Sequence, residues 1–133
     1  MQKGLNHDLN DIGNTYVEIN LKAQHLWFYK NGKLIADGDV VTGSKTKDHI
    51  TPAGIYKLKS KLKNFTLKGP GYTVPVAFFM PFNGGIGMHD LGITVFGGKV
   101  YLTNGSHGCI NCPLELAQKI YNNIVEGTPV VCY

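Results

Sequence analysis

The chain has 133 residues, 43% of them hydrophobic, with 13 Lys or Arg against 9 Asp or Glu and a formal net charge of +4. That length describes one domain able to bury an ordinary core, and the composition excludes a disordered chain. The mild charge comes with no aromatic and basic surface motif, which argues against a nucleic-acid partner, and no stretch approaches the roughly 20 apolar residues of a membrane helix.

Residues 1–14 lack the apolar core of a secretory signal and read as a linker or an artificial leader, leaving residues 15–133 as the domain. Residues 16–21 alternate as a strand. Residues 25–30 meet Asn31-Gly32 and return through 33–36 toward Val40 and Val41. Asn-Gly between apolar runs predicts a hairpin, because a type I′ turn needs positive φ at both central residues. Residues 54–62 form the next predicted strand. On it Lys57, Lys59, Lys61 and Lys63 alternate with Tyr56, Leu58, Ser60 and Leu62, which puts four ammonium groups on one face. Such a face is either simply solvated or a weak dock for anionic polymers. Residues 73–79 make another strand, edge or bulged on account of Pro75. One helix follows, opened by Pro113, with Leu114, Ala117, Ile120, Tyr121 and Ile124 at helical spacing and Gly127 to end it. Residues 128–132 close the chain as a strand. Many short strands with frequent Gly and Pro and a single late helix predict a mostly β domain, built as a sandwich or barrel.

Three cysteines, Cys109, Cys112 and Cys132, are too few for a disulfide scaffold, and their odd number leaves at least one thiol free. The run Ser106-His107-Gly108-Cys109-Ile110-Asn111, with His89 upstream, carries the chemistry. Gly108 lets backbone approach a ligand closely, and two nearby histidines can take a thiol proton. A free thiol has a pKa near about 8.5, so a standing thiolate at neutral pH needs an adjacent imidazole or a helix N-terminus. Cys109 precedes the predicted helix by several residues, which favours the imidazole. Either histidine can be the base. His107 shares the face of Cys109 in an extended segment, while His89 arrives through Gly84-Gly85-Ile86-Gly87-Met88 from elsewhere in the fold. Backbone N–H groups of His107, Gly108 and Cys109 can receive an oxyanion. Ser106 and Asn111 are read as shaping the loop through local backbone hydrogen bonds. The second ring nitrogen of the base needs an acceptor, and Asp90 is the nearest.

This segment resembles the signature of the L,D-transpeptidases, cysteine enzymes that cross-link bacterial peptidoglycan. That pattern is a His, a spacer, Ser or Thr, His, Gly, Cys, a hydrophobic residue and Asn. His89, Ser106, His107, Gly108, Cys109, Ile110 and Asn111 fill every place. Thr51-Pro52-Ala53-Gly54, Met80-Pro81-Phe82 and Gly85-Ile86-Gly87-Met88-His89-Asp90 extend the likeness over most of the chain. The resemblance implies Cys109 as nucleophile and His89 as base, oriented by Asp90 or by a backbone carbonyl. It implies peptidoglycan stem peptides, a donor tetrapeptide and an acceptor stem, as partners, carbapenems as covalent inhibitors, and no cofactor or metal. A thioester on Cys109 would release D-alanine and pass to an acceptor amine, giving a 3-3 cross-link; water instead of the amine would make an L,D-carboxypeptidase. It also implies an extracytoplasmic place of action, with any export signal or anchor outside these 133 residues.

Two other chemistries use the same residues. Cys109 and Cys112 form a C-x-x-C ahead of a helix, as in thiol oxidoreductases, but the preceding strands and Gly loops do not make the βαβ unit that such folds need. His107, Cys109 and Cys112 with His89 or Cys132 would suit zinc by ligand type, yet the usual second cluster is missing. A binding module without turnover would not need the full signature. Cys112 is otherwise read as an N-cap before Pro113, Cys132 as part of a core strand, and Phe78, Phe79 and Phe82 as sheet and core.

Overall fold

The computed structural model describes residues 12–45, 49–69, 71–92, 96–99 and 106–133, so most of the expected linker lies outside the described residues. The strands are β1 (Tyr16–Asn20), β2 (His25–Lys30), β3 (Lys33–Asp39), β4 (Gly54–Lys57), β5 (Leu62–Gly69), β6 (Tyr72–Asn83), β7 (Ile86–Asp90), β8 (Ile110–Cys112) and β9 (Pro129–Cys132). Among the described residues one helix, α1 (Leu114–Asn123), lies between β8 and β9. A five-stranded sheet runs β3-β2-β1-β9-β4 and a four-stranded sheet runs β5-β6-β7-β8. The domain is therefore mostly β, two sheets with a single helix, as the sequence predicts.

Local chemistry sets the first sheet. Asn31 and Gly32 take φ values of 53° and 80°, so the hairpin turns in the primed sense that matches strand twist. β1 pairs antiparallel with β2 and parallel with β9, which lies between β1 and β4. The core forms where alternation turns Val17, Ile19, Leu26 and Phe28 of this sheet toward Met80, Phe82, Met88 and Ile110 of the other. Each such side chain is fully or almost fully buried, worth about 1.5–3 kcal/mol apiece.

Three expectations are corrected. The strand expected over 54–62 is broken after Leu58, which is buried as its face predicts and still donates its N–H to Thr128 O, because the next N–H, of Lys59, donates to Pro81 O in the other sheet. The chain leaves one sheet for the other there, so the four lysines do not share a strand face. Lys57 ends β4, whereas Lys61 and Lys63 place their ammonium groups 4.6 and 5.5 Å from the centre of the Tyr121 ring. In α1 the buried face is Leu116, Ala117 and Ile120, and Leu114 points to solvent at 53% exposure. The helix ends at Ile124, with Gly127 only later, in the turn where its N–H bonds Leu58 O. Finally, β6 is longer than expected and interior to its sheet, yet Pro75 pairs only with Thr66 of β5, since β7 joins β6 from Phe79 onward. Proline is tolerated where its missing donor faces no strand.

Candidate active site

The register between β7 and β8 builds the site. Met88 pairs with Ile110, His89 with Asn111 and Asp90 with Cys112, in parallel. Paired residues of adjacent strands send their side chains to the same face, and the face alternates along each strand. Met88, Ile110 and Cys112 thus enter the core, each fully buried. His89, Asn111 and Cys109, two residues before Asn111, face the other way. All three open into a cleft of about 650 Å³ whose apolar wall includes Phe65, Leu67, Tyr72 and Val74 from the β5–β6 hairpin.

The loop carrying Cys109 is held from several sides. Ser106 Oγ donates to Cys109 O and accepts the N–H of Gly108 at 3.1 Å, closing a tight turn. Gly108 has φ of 122°, a backbone state that strains any residue with a Cβ. Its carbonyl accepts the hydroxyl of buried Thr51 at 2.6 Å, and the same hydroxyl oxygen accepts the N–H of Gly43 at 2.9 Å. Asn111 exchanges backbone hydrogen bonds in both directions with Val41. Of the three N–H groups expected to receive an oxyanion, that of Gly108 is thereby committed to Ser106, which leaves those of His107 and Cys109.

His89 Nδ1 lies 2.8 Å from the backbone oxygen of Asp90. A carbonyl only accepts, so Nδ1 carries the hydrogen and Nε2 of the neutral ring is a bare acceptor. Asp90 is thus the orienter through its main chain. Its carboxylate is engaged elsewhere, accepting the N–H groups of Phe78 at 2.8 Å and Ala77 at 3.1 Å, just where β7 ends and β6 would otherwise present unpaired donors. Burial lowers the His89 pKa below its ordinary 6.5, opposed by the Asp90 carbonyl hydrogen bond and by the Asp90 charge. Burial raises the Cys109 thiol above 9.0, opposed by a hydrogen bond from the Gly87 backbone. The thiol donates to Gly85 O at 3.5 Å. Both shifts disfavour charge, because the walls of the cleft strip water from the ring and from the sulfur.

His107 is exposed at the cleft rim. Its ring stacks on His49 at 4.5 Å between centroids and meets Tyr72 edge-on at 4.8 Å. Cys109 and Cys112 are three residues apart on extended chain and face opposite ways, Cys109 to the cleft and Cys112 to the core, so the C-x-x-C is not a paired dithiol. All three cysteines are free. Among the described residues no group of three or more His, Cys, Asp or Glu is arranged to hold a metal ion, and no helix is long and apolar enough to cross a membrane. Sequence reasoning assigned no role to Thr51, His49 or Tyr72. Thr51 stood in a quoted element, but its partner Gly108 is 57 residues away.

A family model described as the L,D-transpeptidase catalytic domain, YkuD, matches residues 14–132. Among solved structures, the chain is 38% identical to a cysteine-to-serine mutant of the Enterococcus faecium L,D-transpeptidase, with a TM-score of 0.87 over 92% of this chain and 50% of that one. It is likewise 38% identical to the catalytic domain of the E. faecium L,D-transpeptidase, with a TM-score of 0.81 over 90% of this chain and 97% of that one, a domain also solved acylated by ertapenem. An L,D-transpeptidase from Mycobacterium tuberculosis, at 20% identity and a TM-score of 0.79 over 90% of this chain and 57% of that one, shares the fold. Comparison with curated protein sequences returned no match. The chain spans about half the length of the first solved structures it matches. A family match over nearly the whole domain, on a fold that turns Cys109, His89 and Asn111 into one cleft, means that this chain belongs to the L,D-transpeptidase catalytic-domain family.

Proposed function

We propose that this domain transfers acyl groups between peptidoglycan stem peptides through Cys109. The observation that carries the reading is the fixed tautomer of His89, whose Nδ1–H is held by Asp90 O so that a bare Nε2 belongs to a ring on the same cleft face as the Cys109 thiol. In the first half-reaction Sγ attacks the carbonyl of the L-centre in the L,D bond of a donor tetrapeptide, and the thiol proton passes to His89 Nε2. Backbone N–H groups of His107 and Cys109 meet the oxyanion; one such donor is worth about 2.7–4 kcal/mol. Collapse breaks the C–N bond, the imidazolium returns its proton to the departing amine, and D-alanine leaves a thioester behind. The amine of an acceptor stem then attacks the thioester, its surplus proton goes through His89 to the sulfur, and a 3-3 cross-link results. The strained amide of a carbapenem would acylate the same sulfur. These substrates lie outside the cytoplasmic membrane, which is where the domain would work.

The test is incubation with disaccharide tetrapeptides, followed by mass spectrometry. The expected product is a dimer lacking one D-alanine. Cys109→Ala should abolish it, and His89→Ala should slow it by roughly 10²–10⁴-fold. Accumulation of tripeptide alone would assign L,D-carboxypeptidase activity. A wild-type protein that yields neither product, and gains no mass with ertapenem, would overturn the proposal.

A further inference from the structure

The two N–H groups left for the oxyanion, those of His107 and Cys109, donate no hydrogen bond among the described residues. Such donors stabilise an oxyanion only when they are already aimed at it, which requires that their peptide planes be fixed. The peptide bonds of this loop are trans, and in a trans peptide the C=O and the N–H point in opposite directions, so holding a carbonyl aims the N–H that follows it. Ser106 O accepts the N–H of Ser44 at 2.8 Å, and Gly108 O accepts the Thr51 hydroxyl at 2.6 Å. The N–H of His107 is therefore turned away from Ser44 and that of Cys109 away from Thr51. Residues 42–44 and 49–51 do not line the cleft, whereas His107 and Cys109 do.

The residue between the two held carbonyls is gripped from the same side. The His107 ring stacks on His49, with centroids 4.5 Å apart and planes 25° apart. Nδ1 of His49 is buried with no hydrogen-bond partner among the described residues, so the contact that the ring makes there is the stack. Residues 42–44 and 49–51 are themselves closely packed, since a Cβ on Gly43 would run into His49 O. The Gly43 N–H bonds Thr51 Oγ at 2.9 Å and leaves the hydrogen of that hydroxyl for Gly108 O.

We infer that His49 and Thr51 are positioning residues of the oxyanion site, holding the nucleophile loop from behind so that the N–H groups of His107 and Cys109 meet the oxyanion together in the cleft. The inference rests on the acyl-transfer reading above and names what preorganises the donors that the reading uses. The experiment compares two reactions of Cys109 in the wild type, Thr51→Val, Thr51→Ser, His49→Ala and His49→Phe. One is turnover of the tetrapeptide, as kcat and KM. The other is alkylation by iodoacetamide, a displacement at saturated carbon that forms no oxyanion, followed by mass spectrometry of the Cys109 peptide. Thr51→Val and His49→Ala should each lower kcat by roughly tenfold to a thousandfold with little change in KM, because the oxyanion is absent from the ground state. Alkylation should keep its wild-type rate. Thr51→Ser keeps the hydroxyl and His49→Phe keeps a flat ring for the stack, so each should retain most of kcat. Parallel loss of alkylation and turnover overturns the inference, since the two residues would then act on the sulfur or on the loop as a whole. So does unchanged turnover in Thr51→Val and His49→Ala, and so does turnover in the Ser and Phe variants as low as in the Val and Ala ones. A wild type that is alkylated yet neither cross-links nor hydrolyses the tetrapeptide overturns the acyl-transfer reading and this inference with it.

Discussion

The decisive residue-scale feature is a histidine whose protonation state is set by what surrounds it. Burial lowers the His89 pKa below 6.5, and the Asp90 charge partly offsets that. As the proposed base, His89 works only when unprotonated, so activity is expected to be lost as pH falls through the lowered pKa, with the acid limb of kcat/KM below pH 6.5. Asp90→Asn removes the charge that raises the pKa and should move that limb to still lower pH. An acid limb at or above 6.5 in the wild type would contradict the burial argument. Thr51 gives a second test. Thr51→Val keeps the shape but leaves Gly43 N–H and Gly108 O without their partner, at a cost of about 1–3 kcal/mol. Urea denaturation should register the loss, and kcat should fall because the loop of Cys109 loses a tether. The signature residues were legible in the sequence because Ser106 to Asn111 are contiguous and His89 stands at the spacing that the motif allows. Thr51 was not, since only the fold brings it to Gly108.

Elements were legible where local chemistry decides them and misread where tertiary contact does. The Asn31-Gly32 hairpin needed only its two turn residues. The strand expected over 54–62 failed because the chain crosses after Leu58 to the other sheet, where the Lys59 N–H bonds Pro81 O, an outcome that period-2 patterning cannot register. Helical periodicity located α1 but misjudged its face by including Leu114. Ile120→Ala should therefore cost about 2–5 kcal/mol, whereas Leu114→Ala should change stability by about 0.5 kcal/mol or less. Comparable losses for the two, read by thermal or chemical denaturation, would mean that the helix presents a different face.

For the whole molecule, the two buried thiols record how the sheets enclose the core. Burial pushes Cys132 up to about 12 and Cys112 higher, from 9.0. Both groups are neutral when protonated, so the stability tied to them is complete below pH 9.0 and is lost as pH rises toward 12. The folded protein should show one thiol reactive to Ellman's reagent and the denatured chain three; more than one fast thiol in the native state would mean that β8 or β9 opens. The sequence by itself offered Cys109 as candidate nucleophile and His89 and His107 as candidate bases, and determined the mostly β class and the family likeness, because each depends on residues adjacent in the chain or on a spacing that a motif preserves. Only the tertiary structure decided that the Asp90 main chain holds His89 Nδ1, that burial disfavours charge on both His89 and Cys109, and that Cys112 turns away from Cys109. Those outcomes depend on strand register and on water excluded by residues far apart in sequence, and neither is written in any local run of the chain.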